Sequence, residues 1–114
     1  MDNCLFCKLV AGEIPSERIF ENDEVLAFRD IRPQAPVHVL LIPKKHIPSA
    51  QDVSNDDVQL IGRLHAVIPE IAKKENLVEK GYRVVTNIGF YGQQTVPHLH
   101  YHIIGGRQLA WPPG

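Results

Sequence analysis

Cysteine, tryptophan and methionine are all scarce in this chain, with two, one and one in 114 residues. Two cysteines cannot build the multi-bridge framework of a small secreted domain; inside a cell they are more naturally thiols or metal ligands. Charge of one sign is missing too: 12 Lys and Arg stand against 13 Asp and Glu, for a net charge of −1. Without a basic stripe, duplex nucleic acid is not expected as a partner. The charge balance still allows a single nucleotide, because backbone amides hold phosphate without many cations. No stretch approaches the ~20 apolar residues of a membrane span. Met1-Asp2-Asn3-Cys4 lacks the basic start and apolar run of a signal peptide, so the expectation is a cytoplasmic protein with no membrane partner. Repeats, low-complexity tracts and Walker-type phosphate loops are also lacking. The expectation is a single domain over 1–114, able to bury about two-thirds of its unfolded surface.

The hydrophobic pattern divides the chain. Residues 4–11 read as a short helix, apolar at Leu5, Leu9 and Val10 and stopped by Gly12 and Pro15. Ile19-Phe20 and residues 25–28 read as a hairpin around Glu21-Asn22-Asp23-Glu24. "VHVLLIP", from Val37, is rich in β-branched residues and bounded by Pro36 and Pro43, a third and well-buried strand. From Ser54 to about Asn76 the period becomes 3.6, with a stripe at Ile61, Leu64, Ile68 and Ile71 widened by Leu60 and Val67. Ser54 and Asp57 stand in capping-box places, and Pro69 removes one backbone bond, which should kink the helix near His65. "YRVVTNI", 82–88, reads as a fourth strand. A loop over 89–95 then leads into "TVPHLHYHIIGG", the fifth. Most strand connections are too short for parallel crossovers. The pattern therefore predicts an α+β domain: a mainly antiparallel five-stranded sheet, one long helix on one face, and a short N-terminal helix.

The fifth strand holds the chemistry. Side chains alternate along a strand, so His98, His100 and His102 would share one face, roughly 6.5 to 7 Å apart, with Leu99, Tyr101 and Ile103 on the other. A solvated sheet face would explain one such histidine; three in strict alternation, beside a loop rich in Gly and Gln, point to function. Two chemistries fit. His-x-His on a strand is a component of catalytic zinc centres, although three same-face residues of one flat strand span too far to share an ion with bonds of ~2.1 Å. An imidazole can instead attack phosphorus to form a phosphoramidate that water later cleaves. That route needs a neutral ring with one nitrogen free and the other pinned, plus donors for the phosphate oxygens. Asn87, Gln93, Gln94 and Thr95 supply donors nearby.

The run His98-Leu99-His100-Tyr101-His102-Ile103-Ile104 resembles the His-φ-His-φ-His-φ-φ signature of the histidine triad (HIT) superfamily, where φ is apolar. "IPSERIFENDEVLAFRDIRPQAPVHVLLIPKKHI" and the tail "GGRQLAWPPG" are similar to its nucleotide-binding branch. The resemblance implies a HIT-like fold, a homodimer, and a purine nucleoside phosphoramidase that cleaves P–N bonds of AMP joined to lysine-like amines. It implies His100 as the nucleophile that becomes nucleotidylated, His102 beside the phosphate, and His98 orienting the site or assisting the departing amine. His38 would support the triad. Asp30 would take the ribose hydroxyls, Ile31 would line the base pocket, and Asn87, Gln93, Gln94 and Thr95 would face the phosphate. Trp111 would reach the partner's site and act on leaving-group selectivity. The chain departs from the branch at Gln93, where glycine is common, at Thr95, where serine is usual, and at Pro97, where an aromatic is frequent. Read without the resemblance, Asp30 would be a turn former before Arg32-Pro33.

Cys4-Leu-Phe-Cys7 is a C-x-x-C outside the strand–helix context of a redox motif. Zinc would need two further ligands, for which His46 and a triad histidine are available. Some bacterial-type HIT proteins with this motif resemble the chain and imply Cys4, Cys7, His46 and His98 as a closed structural site for Zn2+, with no cofactor required for catalysis itself. Two other classes of function remain: a purine-nucleotide-binding interaction protein whose hydrolysis is incidental, and a module whose activity tracks metal or thiol state.

Overall fold

The computed structural model describes Asn3–Gly114. Met1 and Asp2, where the signal-peptide reading and the start of the expected domain fall, lie outside the described residues. Among the described residues, five strands form one antiparallel sheet in the order β1-β2-β3-β5-β4. They are β1 (Arg18–Glu21), β2 (Val25–Arg29), β3 (Val37–Pro43), β4 (Tyr82–Val85) and β5 (Tyr101–Gly105), with helices α1 (Leu5–Val10) and α2 (Val58–Lys74). The expected α+β fold is the one found.

Alternation along the strands gives the sheet two unlike faces. Val25, Ala27, Val39, Leu41 and Ile103 turn toward α2 and pack with Leu64, Val67, Ile68 and Ile71. Leu26, Phe28, Leu40 and Ile42 turn the other way, under Cys4, Phe6 and Leu9 of the α1 segment. The buried stripe of α1 is therefore Phe6 and Leu9, at helical spacing i, i+3; Leu5, read from the sequence as part of it, is exposed. Before α2, one 3₁₀ turn (Asn55–Asp57) is fastened by the Asp57 carboxylate. It accepts the Ser54 backbone N–H at 3.1 Å and the Lys45 ammonium at 2.5 Å, which holds its pKa below the usual carboxylate range. The helix continues through Pro69 as one element.

Two strands are shorter than the pattern predicts. β4 ends at Val85 rather than Ile88, and Thr86 next to it gives its hydroxyl to the His100 carbonyl at 2.8 Å. β5 begins only at Tyr101, so of the three histidines only His102 lies in the ladder. The cause is upstream: Pro97 has no N–H, the His98 N–H bonds back to the Val96 carbonyl at 2.9 Å, and the Leu99 N–H crosses to the Ile47 carbonyl at 2.6 Å. Facing still alternates, since Leu99 joins Ile103 in the core under α2.

Candidate active site and metal cluster

The two central strands place the imidazoles. In the β3–β5 pairing Leu40 lies opposite His102 and His38 opposite Ile104, so His38 and His102 are diagonal neighbours on the face away from α2. His38, His98 and His100 are buried, which obliges each ring to find partners. Those partners are largely backbone groups, and they fix which nitrogen carries the proton.

His98 Nε2 lies 2.8 Å from the Pro43 carbonyl, an acceptor only, so it carries the hydrogen and Nδ1 is a bare lone pair. His100 Nδ1 donates to the His98 carbonyl at 2.7 Å, which leaves its Nε2 unprotonated. The Gln34 N–H donates to His38 Nδ1 at 3.0 Å, so neutral His38 holds its proton on Nε2 and gives it to His102 Nδ1 at 2.8 Å. That in turn puts the His102 proton on Nε2. Burial pushes the pKa values of His38, His98 and His100 down. His102 is pushed down to about 4, by burial first and then by the neighbouring His100 and His38. At neutral pH the cluster presents one nucleophilic nitrogen, on His100, and one N–H donor, on His102, with ring centroids 5.0 Å apart.

Asp30 follows β2. One carboxylate oxygen accepts the Arg32 N–H at 2.7 Å, the turn-forming use, while the other faces His38 Nε2 at 3.4 Å. Ile31 is 91% exposed at the surface. In the loop, the Asn87 amide donates to the Gly92 carbonyl at 2.6 Å, and the Gln94 amide donates to the carbonyls of Pro48 and Val96 at 2.7 and 3.0 Å. These two side chains hold the loop closed. Gln93 has φ +64°, the left-handed region in which glycine is least strained. Thr95 is exposed, as is Trp111, near the Arg83 guanidinium. An open groove bordered by Lys80, Arg83 and Arg107 lies on another part of the sheet and contains none of the histidines.

A second constellation adjoins the first. The Cys4 and Cys7 sulfurs stand 3.3 and 3.6 Å from His98 Nδ1. His46 Nδ1 is 3.3 Å from the Cys7 sulfur and 3.2 Å from His98 Nδ1. A tetrahedral zinc ion with ordinary Zn–N and Zn–S bonds separates its ligands by about 3.3 Å for two nitrogens and about 3.5 Å for nitrogen and sulfur. The four donors fit that figure, and the lone pair on His98 Nδ1 faces the centre, so this cluster could bind a metal ion. Burial, reinforced by Cys4, raises Cys7 to about 11, which makes it a poor free nucleophile. Asp30, His38 and His102 are also close enough to hold an ion. Their proton pattern does not fit one: a metal on His38 Nε2 would require a proton on Nδ1, where the Gln34 N–H already donates.

Three contributors escaped the sequence reading. Thr86 pins the His100 carbonyl, the Gln34 amide sets the His38 tautomer, and Phe6 packs edge-on against His100 at 5.1 Å between centroids. The Phe6–Leu9–Val10 spacing could have signalled the last; the other two depend on long-range approach.

A sheet that seats a row of neutral imidazoles against backbone partners, with a helix behind it, defines the class of protein, and comparison makes it particular. The family model described as "Scavenger mRNA decapping enzyme C-term binding" matches residues 3–110. An uncharacterized HIT-like protein of Synechococcus elongatus is 48% identical over 113 residues, covering 99% of this chain and 98% of its own. The crystal structure of a HIT family hydrolase from Legionella pneumophila superposes with a TM-score of 0.96 at 53% identity, covering 98% of this chain and 100% of that one. A histidine triad nucleotide-binding protein from Candida albicans gives a TM-score of 0.82 at 30% identity, over 98% and 85% of the two chains. The chain belongs to the histidine triad family.

Proposed function

We propose that the protein is a hydrolase of purine nucleoside phosphoramidates, of the nucleotide-binding branch. The observation that carries this reading is the His98 carbonyl accepting the His100 Nδ1–H at 2.7 Å, which leaves the His100 Nε2 lone pair free in a ring kept neutral by burial. Nε2 attacks the phosphorus of an AMP–amine, and the P–N bond breaks with its electron pair leaving on the amine nitrogen, which takes a proton from solvent water. The nucleotide is carried on His100 until water attacks the phosphorus and releases AMP. The His102 Nε2–H, set by the relay from Gln34 through His38, donates to a phosphoryl oxygen as charge develops there. His98 has both nitrogens engaged and serves to orient the site rather than to protonate the leaving amine. Asp30 keeps lone pairs for the ribose hydroxyls, and Ile31 offers an apolar surface to the base.

We assign Zn2+ to Cys4, Cys7, His46 and His98 as a structural ion that ties α1 to the sheet. The protein acts as a cytoplasmic homodimer in this reading; β4 is an unpaired sheet edge with a partly exposed Val84, a surface that a second copy can cover. The test is a paired assay of wild type and His100→Ala. Loss of AMP–amine hydrolysis by about 10³-fold or more, with AMP binding retained in calorimetry, is the expected result. A wild type that binds AMP without turning substrate over rejects the enzyme reading in favour of a nucleotide-binding one.

A further inference from the structure

Helix α1 is only six residues long, well below the length at which a helix holds itself in water. It stays where its buried side chains and the two thiols fasten it. Between the thiols in sequence lies Phe6, 4% exposed, whose ring meets His100 at 5.1 Å and 87° and His98 at 5.9 Å and 72°, with Phe28 behind it at 5.5 Å. A hydrogen bond at Nδ1 fixes one atom of the His100 ring and leaves the ring free to rock about it. Phe6 limits that freedom on one side of the ring and His102, at 5.0 Å between centroids, on another.

We propose that Phe6 is a positioning residue for the His100 ring and that the Cys4–Cys7–His46–His98 cluster acts on turnover through it. With the cluster closed by an ion, α1 is seated and Phe6 holds Nε2 on its line of attack. With the cluster open, α1 loosens and the ring loses its wall, while Asp30 and His102, which sit outside α1, keep the nucleotide. Misplacing a reacting group by about 1 Å costs on the order of 10²-fold in rate. The inference rests on His100 being the nucleophile.

The experiment uses zinc-reconstituted full-length protein as wild type, Phe6→Ala, Phe6→Leu and Leu64→Ala, the last a core truncation on the opposite face of the sheet. Expected for Phe6→Ala is a kcat lowered about 10- to 100-fold, with KM and AMP affinity within about twofold. Phe6→Leu should restore most of the rate, and Leu64→Ala should keep it. A chelator should lower kcat of wild type to a similar extent and add little in Phe6→Ala, because both act through one contact. His100 ring resonances in NMR should broaden in Phe6→Ala and in chelated wild type alike. Equal chelator effects in wild type and Phe6→Ala, or a loss that Leu64→Ala shares, would overturn the proposal. Should Phe6→Ala not fold, the smaller truncation Phe6→Val and the chelated wild type carry the same comparison. If wild type shows no turnover, the functional reading fails, and the NMR arm still decides this one: resonances that stay sharp on chelation reject it.

Discussion

The two faces of one sheet are built from the same strands and stabilised in different ways. Toward α2, Val25, Val39, Leu41 and Ile103 pack in an apolar cluster with Leu64, Val67, Ile68 and Ile71, where burial is the stabilising force. On the opposite face the apolar patch of Leu26, Phe28, Leu40 and Ile42 gives way to imidazoles, each of which needs its own partner: Pro43 for His98, the His98 carbonyl for His100, Gln34 for His38. An apolar face tolerates any packing of the right volume. A face of buried imidazoles works only with particular donors and acceptors at particular atoms, since an unpaired buried polar group costs about 1–3 kcal/mol. Stability can therefore be concentrated on the first face and chemistry on the second.

That division can be broken most forcefully from the apolar side. Leu64 is fully buried, and Leu64→Ala should cost about 2–5 kcal/mol in urea unfolding while the histidine resonances of the folded protein stay where they are. Shifts spreading through His98, His100 and His102 would mean that the faces are coupled through the sheet.

An intermediate effect comes from acid. The four imidazoles of the cluster titrate below their ordinary value, so the unfolded chain binds protons that the folded chain refuses. Their contribution to stability is complete above about 6.5 and is lost as pH falls from there through the folded values, down to about 4 for His102. Metal-free protein should show a thermal midpoint that declines steadily from pH 7 to pH 4.5. A midpoint that is level across that range would put the imidazoles in solvent.

The smallest effect belongs to the loop beside the histidine face. Gln93 holds φ +64° without the freedom of glycine, at a strain on the order of 1 kcal/mol. Gln93→Gly should raise stability by at most about 0.5 kcal/mol once the entropy of the added glycine is set against that relief. A lower midpoint would show that the Gln93 side chain contributes contacts worth more than the strain.

Much of this was legible in the chain. The run at β3 lies where its β-branched residues and flanking prolines put it, and the 3.6-residue stripe of α2 buries Leu64, Val67, Ile68 and Ile71 as its spacing predicts. Strand ends were less legible. The Thr86 hydroxyl bonds the His100 carbonyl and the Leu99 N–H bonds the Ile47 carbonyl, partners that no local window contains.

Side-chain period by itself determined the sheet, the helix behind it and the facing of the three histidines, whereas the set Cys4, Cys7, His46 and His98 came from the family resemblance. Tertiary structure decided what each histidine does. His98 turns to the thiols, His100 to Phe6 and its neighbour's carbonyl, and His102 to His38. The reason is physical: alternation is a property of adjacent residues, whereas the proton on an imidazole follows its partner. For His98 the partner is 55 positions away, at Pro43; for His102 it is 64 away, at His38.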